Sequence, residues 1–189
     1  MSLEFNRRSF LKYSAAAAVA VAGSSLLTGC GEDEYQKTGK IGSTLKLMGT
    51  FTLYGGANAP TYTPASPAST PATGTFKCKL SIKCTTKKVP LYVTNECFEL
   101  TVTRGTTETN YAKQYIKVDH EEYDLKESED AKDFTLTIKD VDIKAGDKVE
   151  LKYWPRIQAS SGNSGYTRAF CTWKMVAKKD TNSNKIVLE

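Results

Sequence analysis

The segment Phe76-Lys-Cys-Lys-Leu-Ser-Ile-Lys-Cys84 decides the fold class. Phe76, Cys78, Leu80, Ile82 and Cys84 share one side of an extended chain, and Lys77, Lys79, Ser81 and Lys83 share the other. Successive side chains of a strand point to opposite faces, so this spacing of two predicts a strand with one dry face and one wet face. An antiparallel sheet packed on a core has that pattern.

Working outward, the same alternation recurs in short pieces. Phe134-Thr-Leu-Thr-Ile138 and Lys148-Val-Glu-Leu-Lys-Tyr153 read as strands, with Lys144-Ala-Gly-Asp147 as a tight turn between them whose Gly supplies a positive φ. Thr44 to Leu53, Leu91 to Thr94, Phe98 to Thr103, Tyr111 to Val118, Tyr166 to Val176 and Lys185 to Leu188 complete the set. The apolar phase shifts between Val93 and Phe98, which predicts a bulge or a change of sheet near Asn95. The Gly-, Pro- and Thr-rich stretch 55–74, with prolines at 60, 64, 67 and 71, reads as a long loop, because proline cannot sit in a central strand. No helical period follows the first 29 residues. The expected fold is all-β, an antiparallel β-sandwich.

Three regions follow: a helical targeting segment over 1–29, a flexible spacer over 30–40 and a β-sandwich domain over 41–189. The chain has 189 residues, 40% of them hydrophobic and 25% charged, the balance of one folded domain. Its formal charge is +5, of which Arg7, Arg8 and Lys12 against Glu4 supply +2. The remaining +3 is too mild to argue for nucleic acid. The basic stretch Lys77 to Lys88 and the acidic run Asp119 to Asp133 read as solvated surfaces that attract each other weakly.

The N-terminal segment has a polar start, an apolar run from Tyr13 to Leu27 and a small-residue end. That run is too short and too rich in Ala and Gly to span a bilayer as a stable helix. Asn6-Arg7-Arg8-Ser9-Phe10-Leu11-Lys12 resembles the twin-arginine export motif, Ser/Thr-Arg-Arg-x-Phe-Leu-Lys, from which only Asn6 departs. Leu27-Thr-Gly-Cys30 resembles a bacterial lipobox, which implies cleavage before Cys30 and a lipid on its sulfur. Each buried methylene of an acyl chain contributes about 0.8 kcal/mol, so two or three chains fix a protein to the bilayer. The expected location is the extracytoplasmic face of the membrane or the cell surface.

Between Phe76 and Tyr153 the chain also resembles the immunoglobulin-like domain of bacterial surface lipoproteins, in Lys88-Val-Pro-Leu-Tyr-Val-Thr-Asn-Glu-Cys-Phe-Glu-Leu100 and Ala145-Gly-Asp-Lys-Val149. The Pro-rich insertion and the cysteines depart from that family.

Cys78, Cys84, Cys97 and Cys171 remain beside Cys30, an even number in an exported protein, which suggests two disulfides. Cys78 and Cys84 are about 20 Å apart along a strand and cannot pair with each other. Cys84 with Cys97 and Cys78 with Cys171 is the first arrangement; the other pairing, and four reduced buried thiols, stay open. No Cys-x-x-Cys knuckle points to zinc or iron. His120, the only histidine, lies in the acidic run, whose oxygen spacing fits no calcium loop.

Without a phosphate loop, nucleophile elbow or metal pair, no enzyme, cofactor or catalytic residue is expected. The candidate ligand site is Trp154 and Arg156, followed after a Gly/Ser loop by Tyr166 and Arg168, which together offer aromatic plates and polar forks for a sugar or peptide. The reading is a lipid-anchored, non-catalytic binding or accessory module that meets the membrane through Cys30 and an unidentified protein or glycan. The alternatives are a carbohydrate-binding domain and a structural subunit of a membrane-associated complex.

Overall fold

The computed structural model describes residues 35–49, 51–65, 73–158, 164–181, 183 and 185–189, without the side chains at 59, 164 and 166. The signal segment, the export motif, Cys30 and residues 31–34 lie outside this set.

The described chain is all-β. The strands are β1 (Gln36–Lys40), β2 (Thr44–Met48), β3 (Phe51–Pro64), β4 (Gly74–Lys87), β5 (Leu91–Tyr92), β6 (Phe98–Arg104), β7 (Thr107–Tyr111), β8 (Ile116–Val118), β9 (Lys132–Val141), β10 (Lys148–Tyr153), β11 (Arg156–Gln158), β12 (Ser164–Tyr166), β13 (Phe170–Lys179) and β14 (Ile186–Leu188). One sheet has the order β1-β13-β10-β6-β7, with β14 also on β13; a second has β2-β3-β4-β9-β8; a short one has β12-β11-β5. Every pairing is antiparallel except that of β1 with β13.

The deciding segment lies within β4, where Phe76, Cys78, Leu80, Ile82 and Cys84 are all buried. They share one core with Leu47 and Leu53 of β2 and β3, Leu136 and Ile138 of β9, and Leu100, Leu151 and Trp173 from the other large sheet. Trp173 is fully buried, and its Nε1 donates to the Ser43 carbonyl at 2.9 Å. The indole thereby ties β13 to the connection between β1 and β2.

Three expectations need correction. The stretch 36–40 read as spacer is β1, a strand without alternating apolar residues that is held by the free edge of β13. The stretch 55–64 read as loop is the second half of β3. Beyond Gly56 that strand pairs only with β4, and a register shift between Asn58 and Thr61 accommodates Pro60; an unpaired edge with a bulge is where proline is tolerated in a sheet. Residues 66–72, the rest of that loop, lie outside the description. Finally, the stretch Tyr111 to Val118 is the end of β7, a 3-10 turn at Lys113–Tyr115 and then β8, because the chain there passes from one large sheet to the other.

The chain also changes sheet near Asn95, through a 3-10 turn at Asn95–Cys97 between β5 and β6. Gly146 has φ 93° in the turn before β10, as that turn requires. Lys87 meets Asp124 and Lys83 lies 3.6 Å from Glu129, so the basic strand face and the acidic loop do face each other.

Candidate functional site

β10 sends Lys152 outward and Tyr153 inward, and the strand ends because Pro155 has no N–H to continue a ladder. Trp154 is half-buried at this end: its backbone N–H donates to the Cys97 carbonyl at 2.6 Å and its Nε1 to the Thr167 carbonyl. The indole lies 5.8 Å from the Phe170 ring, tilted by 59°. Lys152 Nζ sits 4.4 Å from the Trp154 centroid and 4.1 Å from that of Phe170. A cation over two aromatic faces is attracted by both quadrupoles.

Arg156 pairs through its backbone with Tyr92 on one side and Tyr166 on the other, and its guanidinium meets Glu96. Lys113 reaches the same carboxylate. The structure thus groups Trp154 and Arg156 at one end of the domain, with the backbone of Tyr166 beside Arg156, while Arg168 stands exposed two residues before Phe170. The polar fork of Arg156 is engaged by Glu96 and the Trp154 plate is covered by Phe170 and Lys152, so neither is presented as an open sugar platform. Sequence reasoning missed Glu96, Lys152 and Phe170. Glu96 is distant in sequence from Arg156, and nothing local signals their meeting; Lys152 and Phe170 were read as strand residues only.

Among the described residues the structure forms no disulfide: Cys78, Cys84, Cys97 and Cys171 are all free and buried. Each of three faces a local partner: Cys78 Sγ lies 3.6 Å from the Asn58 carbonyl, Cys84 Sγ 3.4 Å from that of Thr86, and Cys97 Sγ 3.4 Å from that of Tyr92. Tyr153 is wholly buried, its hydroxyl donates to the same Tyr92 carbonyl at 3.3 Å, and Cys97, Cys171 and Cys84 lie around it. Burial pushes the Cys78 and Cys171 thiols up to about 12 and raises those of Cys84 and Cys97. Such thiols are protonated and poor nucleophiles at neutral pH.

His120 Nδ1 is 2.9 Å from Asp119 Oδ1 and its ring stacks 4.6 Å from Phe134. Burial works against ionising Asp119, but backbone and side-chain hydrogen bonds from Thr135, the His120 N–H and the nearby imidazole hold its carboxyl below the usual value. Among the described residues no group of three His, Cys, Asp or Glu side chains is placed to hold a metal. Several shallow depressions mark the surface of the described residues. One of about 360 Å³ lies beside Asn58, Lys79, Asp119 and Asp133, and one of about 640 Å³ on the outer face of β10 and β13 is lined by Lys148, Glu150, Lys174 and Val176.

Residues 4–24 match the twin-arginine translocation pathway signal sequence. The chain is an exported protein that crosses the cytoplasmic membrane by that route and works outside it. Comparison with curated proteins finds no match. Among solved structures the chain is similar to a Bordetella pertussis protein assigned as ApaA, at 14% identity and a TM-score of 0.38, over 69% of this chain and 97% of that one. A likeness that weak carries no argument about fold or activity.

Proposed function

We propose that the mature protein is a lipid-anchored, non-catalytic recognition or accessory module of immunoglobulin-like sandwich architecture on the extracytoplasmic face of the membrane. The observation that carries this reading is positional. Leu27-Thr-Gly-Cys30 begins three residues after the matched signal sequence ends, where a lipobox belongs. The strand order supports the architecture: β1-β13-β10-β6-β7 and β3-β4-β9-β8, with β1 parallel to β13 and β2 as an added edge strand, resemble the two sheets of an immunoglobulin-like domain. The non-catalytic part of the reading is supported by the charges at the candidate site, which are spent on structural pairs such as Arg156 with Glu96, and by core thiols too buried for nucleophilic chemistry.

Intact mass of the protein purified from native membranes tests the anchor. A chain beginning at Cys30 with acyl groups supports it; a chain retaining residues 1–29, or one cut elsewhere and unacylated, overturns it. Turnover of model ester, glycoside or phosphate substrates by the purified protein would overturn the non-catalytic reading.

A further inference from the structure

We infer that the end of the domain carrying Tyr35, Met48, Trp154, Phe170, Lys152 and Arg168 rests on the phospholipid headgroup layer of the bilayer that holds the anchor. The inference depends on the proposed lipidation of Cys30.

The first observation is the length of chain left between anchor and fold. Four residues, 31–34, separate Cys30 from Tyr35. Tyr35 is already bound to the domain, since its carbonyl accepts the Phe170 N–H at 2.8 Å, and β1 starts at the next residue. A chain advances at most about 3.6 Å per residue, so Cys30 lies within about 18 Å of Tyr35. A sulfur whose acyl chains are buried in the hydrocarbon therefore holds this end of the domain, and no other, close to the headgroups.

The second observation is what that end presents. Tyr35 is 44% exposed and Met48 36% exposed. The Tyr35 ring lies over Gly49, within 3.3 Å of the position a β-carbon there would take, so the two exposed side chains flank one turn. Phe170 follows across the ladder from Gln36, with Trp154 against it and Lys152 over both rings. Arg168 is exposed beside them. Tyrosine prefers the membrane interface, where an apolar ring and a polar tip are both satisfied, and an exposed Arg matches lipid phosphates; Trp154 and Phe170, with Lys152 over them, form the packed floor behind Tyr35, Met48 and Arg168. The acids Glu32, Asp33 and Glu34 oppose an attraction based on net charge, so the aromatic and aliphatic contact together with the short tether carries the docking.

The test uses the full chain, exported and purified from membranes, then reconstituted into vesicles of phosphatidylethanolamine and phosphatidylglycerol that contain headgroup-level spin-labelled lipid. Arg168→Cys places a thiol-reactive fluorophore at the proposed contact. Thr106→Cys places it in the exposed turn after β6, about 20 Å away along that strand. Wild type treated with the same fluorophore serves as the control and should take up no label at the four buried thiols. The expected result is quenching at position 168 severalfold stronger than at position 106. Vesicle-bound, acylated protein with neither position quenched, or with position 106 quenched more, overturns the docking while leaving the anchor intact. Protein that does not float with vesicles and lacks acyl mass at Cys30 overturns the anchor and the docking with it.

Discussion

Arg104 holds Asp147 with two hydrogen bonds, Nη2 at 2.7 Å and Nε at 3.0 Å, across the connection between β9 and β10. The carboxylate is 3% exposed and also accepts the Lys144 N–H at 2.8 Å. Burial by itself raises the Asp147 pKa, but the Arg104 fork, the Lys144 N–H and both positive charges outweigh it and leave the carboxyl below its ordinary value. A carboxyl depressed in the fold stabilises it above the unfolded value of about 3.9, and that contribution is lost as pH falls through the folded value. Urea unfolding followed from pH 7 to pH 3 should show this loss below about pH 5. Asp147→Asn should cost about 2 kcal/mol at pH 7, the Arg104 side being partly solvated, and should flatten the acid limb. An unchanged acid limb would remove Asp147 from the account.

The segment after β9 is pinned by two tyrosines from separate elements. Tyr62 Oη donates to the Val141 carbonyl at 2.9 Å and accepts the Ile143 N–H at 3.3 Å, while Tyr111 Oη accepts the Asp142 N–H at 3.1 Å. Tyr62→Phe leaves a buried carbonyl and N–H unsatisfied and should lower stability by about 1–3 kcal/mol. Gly74→Ala should do at least as much, because a β-carbon there would stand 2.5 Å from the Thr63 carbonyl oxygen and 2.7 Å from the Tyr62 ring. Thermal unfolding of both variants checks this; a midpoint within a degree of wild type would contradict it.

Thiol chemistry should separate native from unfolded protein sharply. Alkylation at pH 8 in buffer should leave Cys78, Cys84, Cys97 and Cys171 unmodified, and alkylation in denaturant without reductant should modify all four, read by mass. If modification in denaturant required a reductant, the cysteines would be bridged in the native protein.

Export should fail when the arginine pair is lost. Arg7→Lys together with Arg8→Lys should leave the precursor in the cytoplasm at its full length, seen by fractionation and immunoblot. Export at the wild-type level would show that another route serves this chain.

The fold class was legible wherever one face of a strand is dry. Phe76 to Cys84 and Lys148 to Tyr153 show their period of two because alternate residues meet the core. β1 and the second half of β3 were not legible, since Gln36–Lys40 buries no side chain fully and Pro60 sits at a bulge; both are strands because a neighbour offers an edge. The candidate site was half legible. Trp154 and Arg156 were visible as an aromatic and a fork, but their partners Phe170, Lys152 and Glu96 come from other strands and a turn. The cysteines were not legible either way, because an even count does not choose between bridges and thiols that each pack beside a carbonyl or a ring.

One edge of β13 is shared by the two extremes of the described chain: β1 covers Phe170 to Lys174 and β14 covers Ala177 to Lys179. A bare strand edge invites another chain to add to it. A nascent polypeptide released before residues 186–188 would carry Ala177 to Lys179 uncovered. Sealing this edge of the sheet therefore waits until residues 186–188 have been made, so that β1 and β14, far apart in the chain, must both be in place before the edge of β13 is closed.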